Sequence, residues 1–161
     1  MIRTIAVIGT GTMGRGIAYL AAVSGYDTIL HDADSGALDA ARAAIDSILR
    51  KGVEKGKVTG ALAKESLERI HLAADLEPAV RGADLIIEAV PENFELKIDL
   101  FAQADLFCAE DAILASNTSS ISRCGNSCAP SAAAPVNHDS SSLNSTRFAE
   151  FSVIGSMPRS R

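Results

Sequence analysis

Three spaced glycines, Gly9, Gly11 and Gly14, follow an apolar run that begins at Ile5. An apolar strand that leads into spaced glycines and then a helix is how a doubly wound α/β domain holds a dinucleotide pyrophosphate. We expect Gly9 to permit the tight turn, Gly11 to let the backbone approach the phosphates, and Gly14 to let the helix pack on the strand. The free N–H groups at the start of that helix would then face the pyrophosphate.

An acidic residue follows at the spacing that such a site requires. The apolar run Thr28–Leu30 leads to Asp32, which lies 18 residues after Gly14. An acid at the tip of the second strand accepts hydrogen bonds from the hydroxyl groups of the adenosine ribose. Because the next residue is Ala33 and not an arginine that would receive a 2′-phosphate, the sequence favours NAD over NADP. The alternatives are an ordinary strand–helix turn for the glycines and a solvated or helix-capping acid at Asp32.

Strand and helix patterns alternate through the first 122 residues and predict a Rossmann-type doubly wound parallel sheet. We expect Asp34 to cap a second long helix, and Phe94 and Ile98 to belong to the buried face of a later helix. The predicted strands are Thr4–Ile8, Thr28–His31, Ile70–Leu72, Ala83–Ala89 and Ala112–Ala115; the predicted helices are Met13–Ser24, one beginning near Ser35 with Leu38, Ala41, Ile45 and Ile48 on one face, Leu62–Arg69, and one that also buries Phe101 and Ala102.

Composition excludes several classes of partner. The 161 residues are 47% hydrophobic, carry a net charge of −5 and have no cluster of lysine and arginine, which argues against nucleic acid or an anionic membrane as the main partner. No apolar run is long enough to span a bilayer. Three cysteines, an odd number without metal-type pairing, predict a reducing cytoplasm and no metal site.

Residues 123–161 differ in character from the residues before them. They contain 9 of the 17 serines and no lysine, and they show no sustained helical or alternating period. Such a composition predicts a segment of low order. The sheet is therefore expected to be incomplete at its C-terminal edge, and out-of-frame translation from about Arg123 onward is our hypothesis for the change.

Four sequence stretches within residues 2–122 resemble the NAD-binding domain of the 3-hydroxyacyl-CoA dehydrogenase family, most closely its short bacterial 3-hydroxybutyryl-CoA dehydrogenases. The first is shared with other Rossmann dehydrogenases, whereas the third and fourth are far more specific. The stretches are Val7–Ala18, Gly52–Lys57, Ala83–Lys97 and Ile113–Ser120. The resemblance implies NAD-dependent oxidation of a (3S)-3-hydroxyacyl-CoA to the 3-ketoacyl-CoA in fatty-acid or butyrate-type metabolism.

The resemblance also assigns roles to individual residues. Ser119 matches the active-site serine that hydrogen-bonds the 3-oxygen of the substrate, and Lys55 lies where the family meets the phosphates of coenzyme A. Sequence alone favours a turn or N-cap role for Ser119 and a solvated position for Lys55. The residues implied to bind the cofactor are Gly9, Gly11, Thr12, Met13, Gly14, Asp32, Ala89, Glu92, Lys97 and Asn117.

The chain departs from the family pattern after Ser122. Family members continue into a strand that carries His-Phe-Phe-Asn-Pro, whose histidine is the general base, and then into a helical domain that closes the acyl-CoA site and forms the dimer. Here His138 precedes Asp139, and only its spacing to Glu150 matches the family. We therefore expect a truncated chain with weak NAD binding, little turnover and no dimerisation through the helical domain. The alternatives are a non-catalytic NAD-binding fragment or a different β-hydroxyacid dehydrogenase.

Overall fold

The computed structural model describes residues 1–117 and 148–150. Along residues 1–117 successive strands are separated by one helix, except the second and third strands, which are separated by two. The elements are β1 (Thr4–Ile8), α1 (Thr12–Val23), β2 (Asp27–His31), α2 (Ser35–Glu54), α3 (Gly60–Glu68), β3 (Ile70–Ala73), α4 (Leu76–Val80), β4 (Leu85–Glu88), α5 (Phe94–Phe107), β5 (Ile113–Ser116) and β6 (Phe148–Glu150).

The six strands form one parallel sheet in the order β3-β2-β1-β4-β5-β6. Side chains alternate across β1, so that Ile5 and Val7 face the layer of α1, α2 and α3, whereas Ala6 and Ile8 face α4 and α5. Both faces of the central strand are therefore buried, as is usual for parallel sheets. The predicted Rossmann-type architecture is confirmed.

The strand order reverses between β1 and β4, and this reversal opens a crevice at their carboxyl ends. The register aligns these ends, because Ile8 pairs with both His31 of β2 and Glu88 of β4, and Glu88 pairs with Ser116 of β5. The residues that follow the four strands consequently leave the sheet at one level. Open α/β sheets bind ligands in such a crevice.

Two helices differ in orientation from the sequence prediction. In α2, Leu49 is buried and Ile48 is exposed, because a 3.6-residue repeat places the fourth residue after Ile45 on the inner face. In α5, Phe94 and Ile98 are 78% and 52% exposed and Ala102 is exposed as well, so the predicted burial of these three residues is wrong. The inner face is formed by Lys97, Leu100, Phe101, Ala104 and Cys108, and this rotation directs Lys97 toward the buried Glu88.

Two short elements were not predicted. The helix α4 has five residues, and β6 has three and pairs in parallel with β5 through Leu114 and Phe148. The sheet therefore extends one strand further than the expected incomplete edge. Both elements are too short for a helical or alternating period to be read from sequence. Of the helices in the part of the chain that the structure describes, none is sufficiently long and apolar to cross a membrane.

Asp84 ties the first strand to the segment before β4. Its Oδ2 accepts hydrogen bonds from the backbone N–H groups of Thr4 at 2.9 Å and Arg3 at 2.6 Å. These two bonds, that of Thr4 being the stronger influence, hold the pKa of Asp84 below its usual value. A carboxyl group with a lowered folded-state pKa stabilises the fold above its unfolded pKa and loses this contribution as the pH falls through the folded pKa.

We therefore expect Asp84→Asn to lower the melting temperature at about pH 7 and to have a shrinking effect as the pH approaches about 3. The measurement is thermal unfolding of both proteins across this range. A difference in melting temperature that stays constant with pH would contradict the contribution of the Asp84 charge.

Candidate cofactor-binding site

The loop between β1 and α1 is built from glycines that the surrounding backbone requires. Gly9 has a φ of +105°, and a Cβ there would lie 2.7 Å from the carbonyl oxygen of Ala89. A Cβ on Gly14 would overlap the carbonyl oxygen of Gly9. These contacts confirm the sequence interpretation that Gly9 makes the tight turn and Gly14 permits close packing of helix on strand.

Gly11 is different, because nothing in the described part of the chain explains its lack of a side chain. A Cβ there would meet no atom of the described residues within 4 Å, and the φ of Gly11 is −60°. It is the N-cap of α1, and α1 alone among the helices of residues 1–117 has neither a capping side chain nor an acidic residue in its first turn. The exposed N–H groups and the positive end of the helix dipole therefore face open space, which suits a phosphate that approaches the backbone.

Asp32 lies at the tip of β2 and is held in place by the glycine loop. Its Oδ2 accepts hydrogen bonds from the N–H of Thr10 at 2.9 Å and the hydroxyl of Thr10 at 2.6 Å, and its Oδ1 accepts one from the N–H of Asp34 at 3.1 Å. Burial is the largest single influence and raises the pKa of Asp32, but the bonds from Thr10 and Asp34 together outweigh it and lower that pKa. The carboxylate is thus kept ionised and oriented as a hydrogen-bond acceptor.

The second half of the site follows β4 and β5. Ala89 continues β4, and Asn117 continues β5, where its N–H donates to the carbonyl of Glu88 at 2.9 Å. The Glu92 carboxylate accepts a hydrogen bond from Lys97 Nζ at 3.1 Å. The side chain of Lys97 is only 11% exposed and also pairs with the fully buried Glu88 at 3.4 Å.

A cleft of about 630 Å³ joins the two halves at the carboxyl ends of β1, β2, β4 and β5. This volume is within the usual range for small-molecule and cofactor sites. Eight of the ten sequence-predicted cofactor residues line it, namely Gly9, Gly11, Thr12, Met13, Asp32, Ala89, Glu92 and Asn117. The other two lie behind it, Gly14 in the packing of α1 and Lys97 in its ion pairs. The residues present therefore fit an extended dinucleotide.

Within the residues that the structure describes, the predicted substrate-binding and catalytic residues do not come together. Ser119 and His138 lie outside them, and for Glu150 only the strand backbone is described. Lys55 is the exposed C-cap of α2 and is not among the residues that line the cleft. Their roles remain predictions. Within the described residues there is no group of three or more histidine, cysteine or acidic residues arranged to hold a metal ion.

Sequence reasoning missed three residues that shape the site. Thr10 orients Asp32, while Glu88 and Ser116 form a 2.5 Å hydrogen bond beneath the β4–β5 half. A signal for Glu88 exists, because it is a lone acid within the apolar run of β4. Acidic residues are almost never fully buried without a partner, so such a position indicates a hidden cation or donor. No comparable signal distinguishes Thr10 or Ser116.

The family model described as the 3-hydroxyacyl-CoA dehydrogenase, NAD binding domain, matches residues 4–124. The chain belongs to the 3-hydroxyacyl-CoA dehydrogenase family. Its cofactor is accordingly NAD, and the cleft described above lies entirely within the matched residues. The membership predicted from the four sequence stretches is confirmed.

Relatives of the dehydrogenase family agree in sequence and in structure. A probable 3-hydroxybutyryl-CoA dehydrogenase of Deinococcus radiodurans is 46% identical over 115 residues, which are 71% of this chain and 41% of that protein. The crystal structure of 3-hydroxybutyryl-CoA dehydrogenase from Escherichia coli K12 is 42% identical with a TM-score of 0.73, covering 76% of this chain and 26% of that one. The crystal structure of (S)-3-hydroxybutyryl-CoA dehydrogenase from Ralstonia eutropha is 38% identical with a TM-score of 0.72, and the match covers 76% of this chain and 43% of that one. The chain thus spans less than half the length of these relatives.

Proposed function

We propose that this chain is the NAD-binding part of a dehydrogenase that oxidises a (3S)-3-hydroxyacyl-CoA to the 3-ketoacyl-CoA. The observation that carries the proposal is the joining of a glycine loop to the ends of β4 and β5 in one cleft. The glycine loop is common to many dinucleotide-binding proteins, whereas the resemblance of the stretch from Ala83 to Lys97 to this family is far more specific. Relatives named 3-hydroxybutyryl-CoA and 3-hydroxyadipyl-CoA dehydrogenase support a 3-hydroxyacyl-CoA as the substrate class.

The residues of the cleft divide the cofactor between them. Asp32 accepts hydrogen bonds from the adenosine ribose, and the first turn of α1 binds the pyrophosphate. The remaining half of the dinucleotide then extends toward Ala89, Glu92 and Asn117, since these residues line the other end of the cleft. When bound, NAD supplies the hydride acceptor of the reaction. The chain's own residues fix where that acceptor lies.

Oxidation of the 3-hydroxyl group removes a hydride from C3 and a proton from the oxygen. We propose that Ser119 donates a hydrogen bond to that oxygen, since Ser119 follows β5 by three residues and Asn117, between them, lines the cleft. The proton requires a general base, which the family provides on its His-Phe-Phe-Asn-Pro strand. Lys55 is proposed to bind the phosphates of coenzyme A.

A non-catalytic NAD-binding role is the second candidate. It is favoured by the sequence after Ser122, which does not carry the family's base motif. The two candidates share the cofactor site and differ only in turnover. A different β-hydroxyacid dehydrogenase would instead oxidise free hydroxyacids.

Asp32→Asn tests the cofactor part of the proposal. We expect the wild-type chain to bind NADH at least about 10-fold more tightly than NADPH, because a 2′-phosphate would approach the Asp32 carboxylate. The variant should bind NADH about 10-fold more weakly, since hydrogen bonds to an ionised group contribute about 1.5–3 kcal/mol. Its preference for NADH over NADPH should shrink as well. Titration calorimetry with both cofactors measures these changes.

Asp34→Asn is the matched control. Asp34 lies two residues away, does not line the cleft, and caps α2 by accepting a hydrogen bond from the N–H of Gly36. Asparagine caps helices as well as aspartate does, so this variant should bind both cofactors as the wild type does. Equal affinity of the wild-type chain for NADH and NADPH would contradict the role of Asp32.

A further inference from the structure

Glu88 is a fully buried carboxylate at the carboxyl end of β4. Its Oε1 accepts a hydrogen bond from the N–H of Val90 at 2.8 Å, and its Oε2 accepts one from the hydroxyl of Ser116 at 2.5 Å. Lys97 Nζ lies 3.4 Å from the same Oε2. Burial of a carboxylate is costly unless it is paired and hydrogen-bonded, and here both conditions are met.

The partners of Glu88 share one location, the rim of the β4–β5 half of the cleft. Val90 and Asn117 line the cleft, and Asn117 donates its N–H to the Glu88 carbonyl. Lys97 connects Glu88 to Glu92, a third residue of the rim. Glu88 itself does not line the cleft. One buried residue therefore holds the β4–α5 loop, the end of β5 and the ion pair of Glu92 in a fixed arrangement.

An arrangement of this kind fixes a binding surface more firmly than apolar packing would. An aliphatic side chain at position 88 would fill the space, but it would leave the N–H of Val90 without its acceptor and Lys97 with Glu92 as its remaining ion-pair partner. The described partners of the Glu88 side chain, which are Val90, Ser116 and Lys97, all belong to the β4–β5 half of the site. The adenosine half has its own orienting pair in Asp32 and Thr10.

We propose that Glu88 is a positioning residue that sets the geometry of the nicotinamide half of the site without touching the cofactor. This inference rests on the proposed function, which places nicotinamide beside Ala89, Glu92 and Asn117. It assigns different consequences to the two halves of the cleft. Loss of the Glu88 charge weakens the binding of nicotinamide and leaves the binding of the adenosine diphosphate portion intact.

Glu88→Gln tests this division with NADH and ADP-ribose as probes, since ADP-ribose lacks the nicotinamide ring. The substitution keeps the size of the side chain and removes its charge. We expect NADH to bind about 10-fold more weakly and ADP-ribose to change by less than about 2-fold. Titration calorimetry gives both affinities, and the fluorescence of bound NADH reports the surroundings of its ring directly.

Glu77→Gln is the matched control, because Glu77 is an acid on α4 that pairs with Arg81 on the surface and does not line the cleft. It should bind both probes as the wild type does. An Asp32→Asn variant should weaken both probes together. A structural effect of Glu88→Gln, spread over the domain, would also weaken NADH and ADP-ribose by the same factor, and that result would overturn the inference.

Two further outcomes are decisive. Unchanged binding of both probes by a folded Glu88→Gln variant overturns the inference but leaves the proposed function standing. Equal affinity of the wild-type chain for NADH and ADP-ribose would mean that the nicotinamide portion contributes no net binding free energy for Glu88 to control, which overturns the inference and leaves the proposed function to the Asp32→Asn test. If Glu88→Gln does not fold, Ser116→Ala removes one hydrogen bond to the carboxylate and retains the pair with Lys97. It should weaken NADH selectively by about 3-fold, and an unchanged ratio of the two affinities would overturn the inference.

Discussion

Gly14→Ala is expected to lower the free energy of unfolding by about 3 kcal/mol or more and to weaken NADH binding at least 10-fold. A Cβ at this position would overlap the carbonyl oxygen of Gly9. Neither atom can move away by a side-chain rotation, because the position of each is fixed by the backbone. The first turn of α1 must therefore move from β1. That movement displaces the N–H groups that face the pyrophosphate, so stability and binding fall together. Urea unfolding and calorimetric titration with NADH measure the two effects.

Gly16→Ala provides the control on the same helix. A Cβ at Gly16 would meet no atom of residues 1–117 within 4 Å, and alanine is favoured over glycine inside a helix by about 1 kcal/mol. This variant should be as stable as the wild type or up to about 1 kcal/mol more stable, with NADH binding unchanged. If the two alanine variants had the same stability, the close approach of α1 to the glycine loop would be contradicted.

A polypeptide of these 161 residues is expected to oxidise (3S)-3-hydroxybutyryl-CoA with a kcat/KM roughly 10²–10⁴-fold below that of a complete family member. General-base catalysis contributes a factor of this size, and the sequence after Ser122 does not carry the family's base motif. The measurement is NADH formation with NAD in excess. The Deinococcus radiodurans relative, assayed in parallel, supplies the reference.

If the 161-residue polypeptide is more active than expected, His138→Ala shows whether that activity depends on His138. Because His138 is the histidine whose spacing to Glu150 matches the family, activity that depends on it would identify it as the base. A kcat/KM within about 10-fold of the reference would contradict the expectation of low turnover. Oxidation of free 3-hydroxybutyrate in preference to its CoA ester would instead support a different β-hydroxyacid dehydrogenase.

The sequence predicted those parts of the fold that depend on local rules. The first strand, Thr4–Ile8, was predicted at its observed bounds, because an apolar run interrupted by glycines has few other interpretations. The cap at Asp34 was likewise correct, since its side chain accepts a hydrogen bond from the second residue of the helix that it begins. The glycine loop between β1 and α1 was predicted from the spacing of Gly9, Gly11 and Gly14.

The failures arise where a distant residue decides the local structure. The orientation of α5 depends on the pair between Lys97 and Glu88, so apolar spacing alone placed Phe94 and Ile98 inside. A buried charge outweighs the exposure of two apolar side chains, because an unpaired carboxylate in the interior is far more costly. The contact of Thr10 with Asp32 joins two loops across 22 residues and has no sequence signature of its own.

The division of the cleft also explains why one half was easier to find than the other. The proposed phosphate contacts come from backbone groups at Gly11 and the start of α1, so this half of the site appears in the sequence as glycines, which have no side chain. The half beside β4 and β5 is built from side chains that pair with one another, and their grouping appears only in the folded chain. Glu88 and Ser116 are 28 residues apart in sequence.

We propose that one cleft binds NAD with its adenosine end at Asp32 and its nicotinamide end beside Ala89, Glu92 and Asn117. Backbone amide chemical shifts of the chain, measured by NMR during titration with NADH and then with ADP-ribose, test this placement. We expect both ligands to shift the amides of Gly11 and Asp32, and only NADH to shift those of Glu92 and Asn117. Shifts at Glu92 and Asn117 that are the same with either ligand, or absent with NADH, would contradict it.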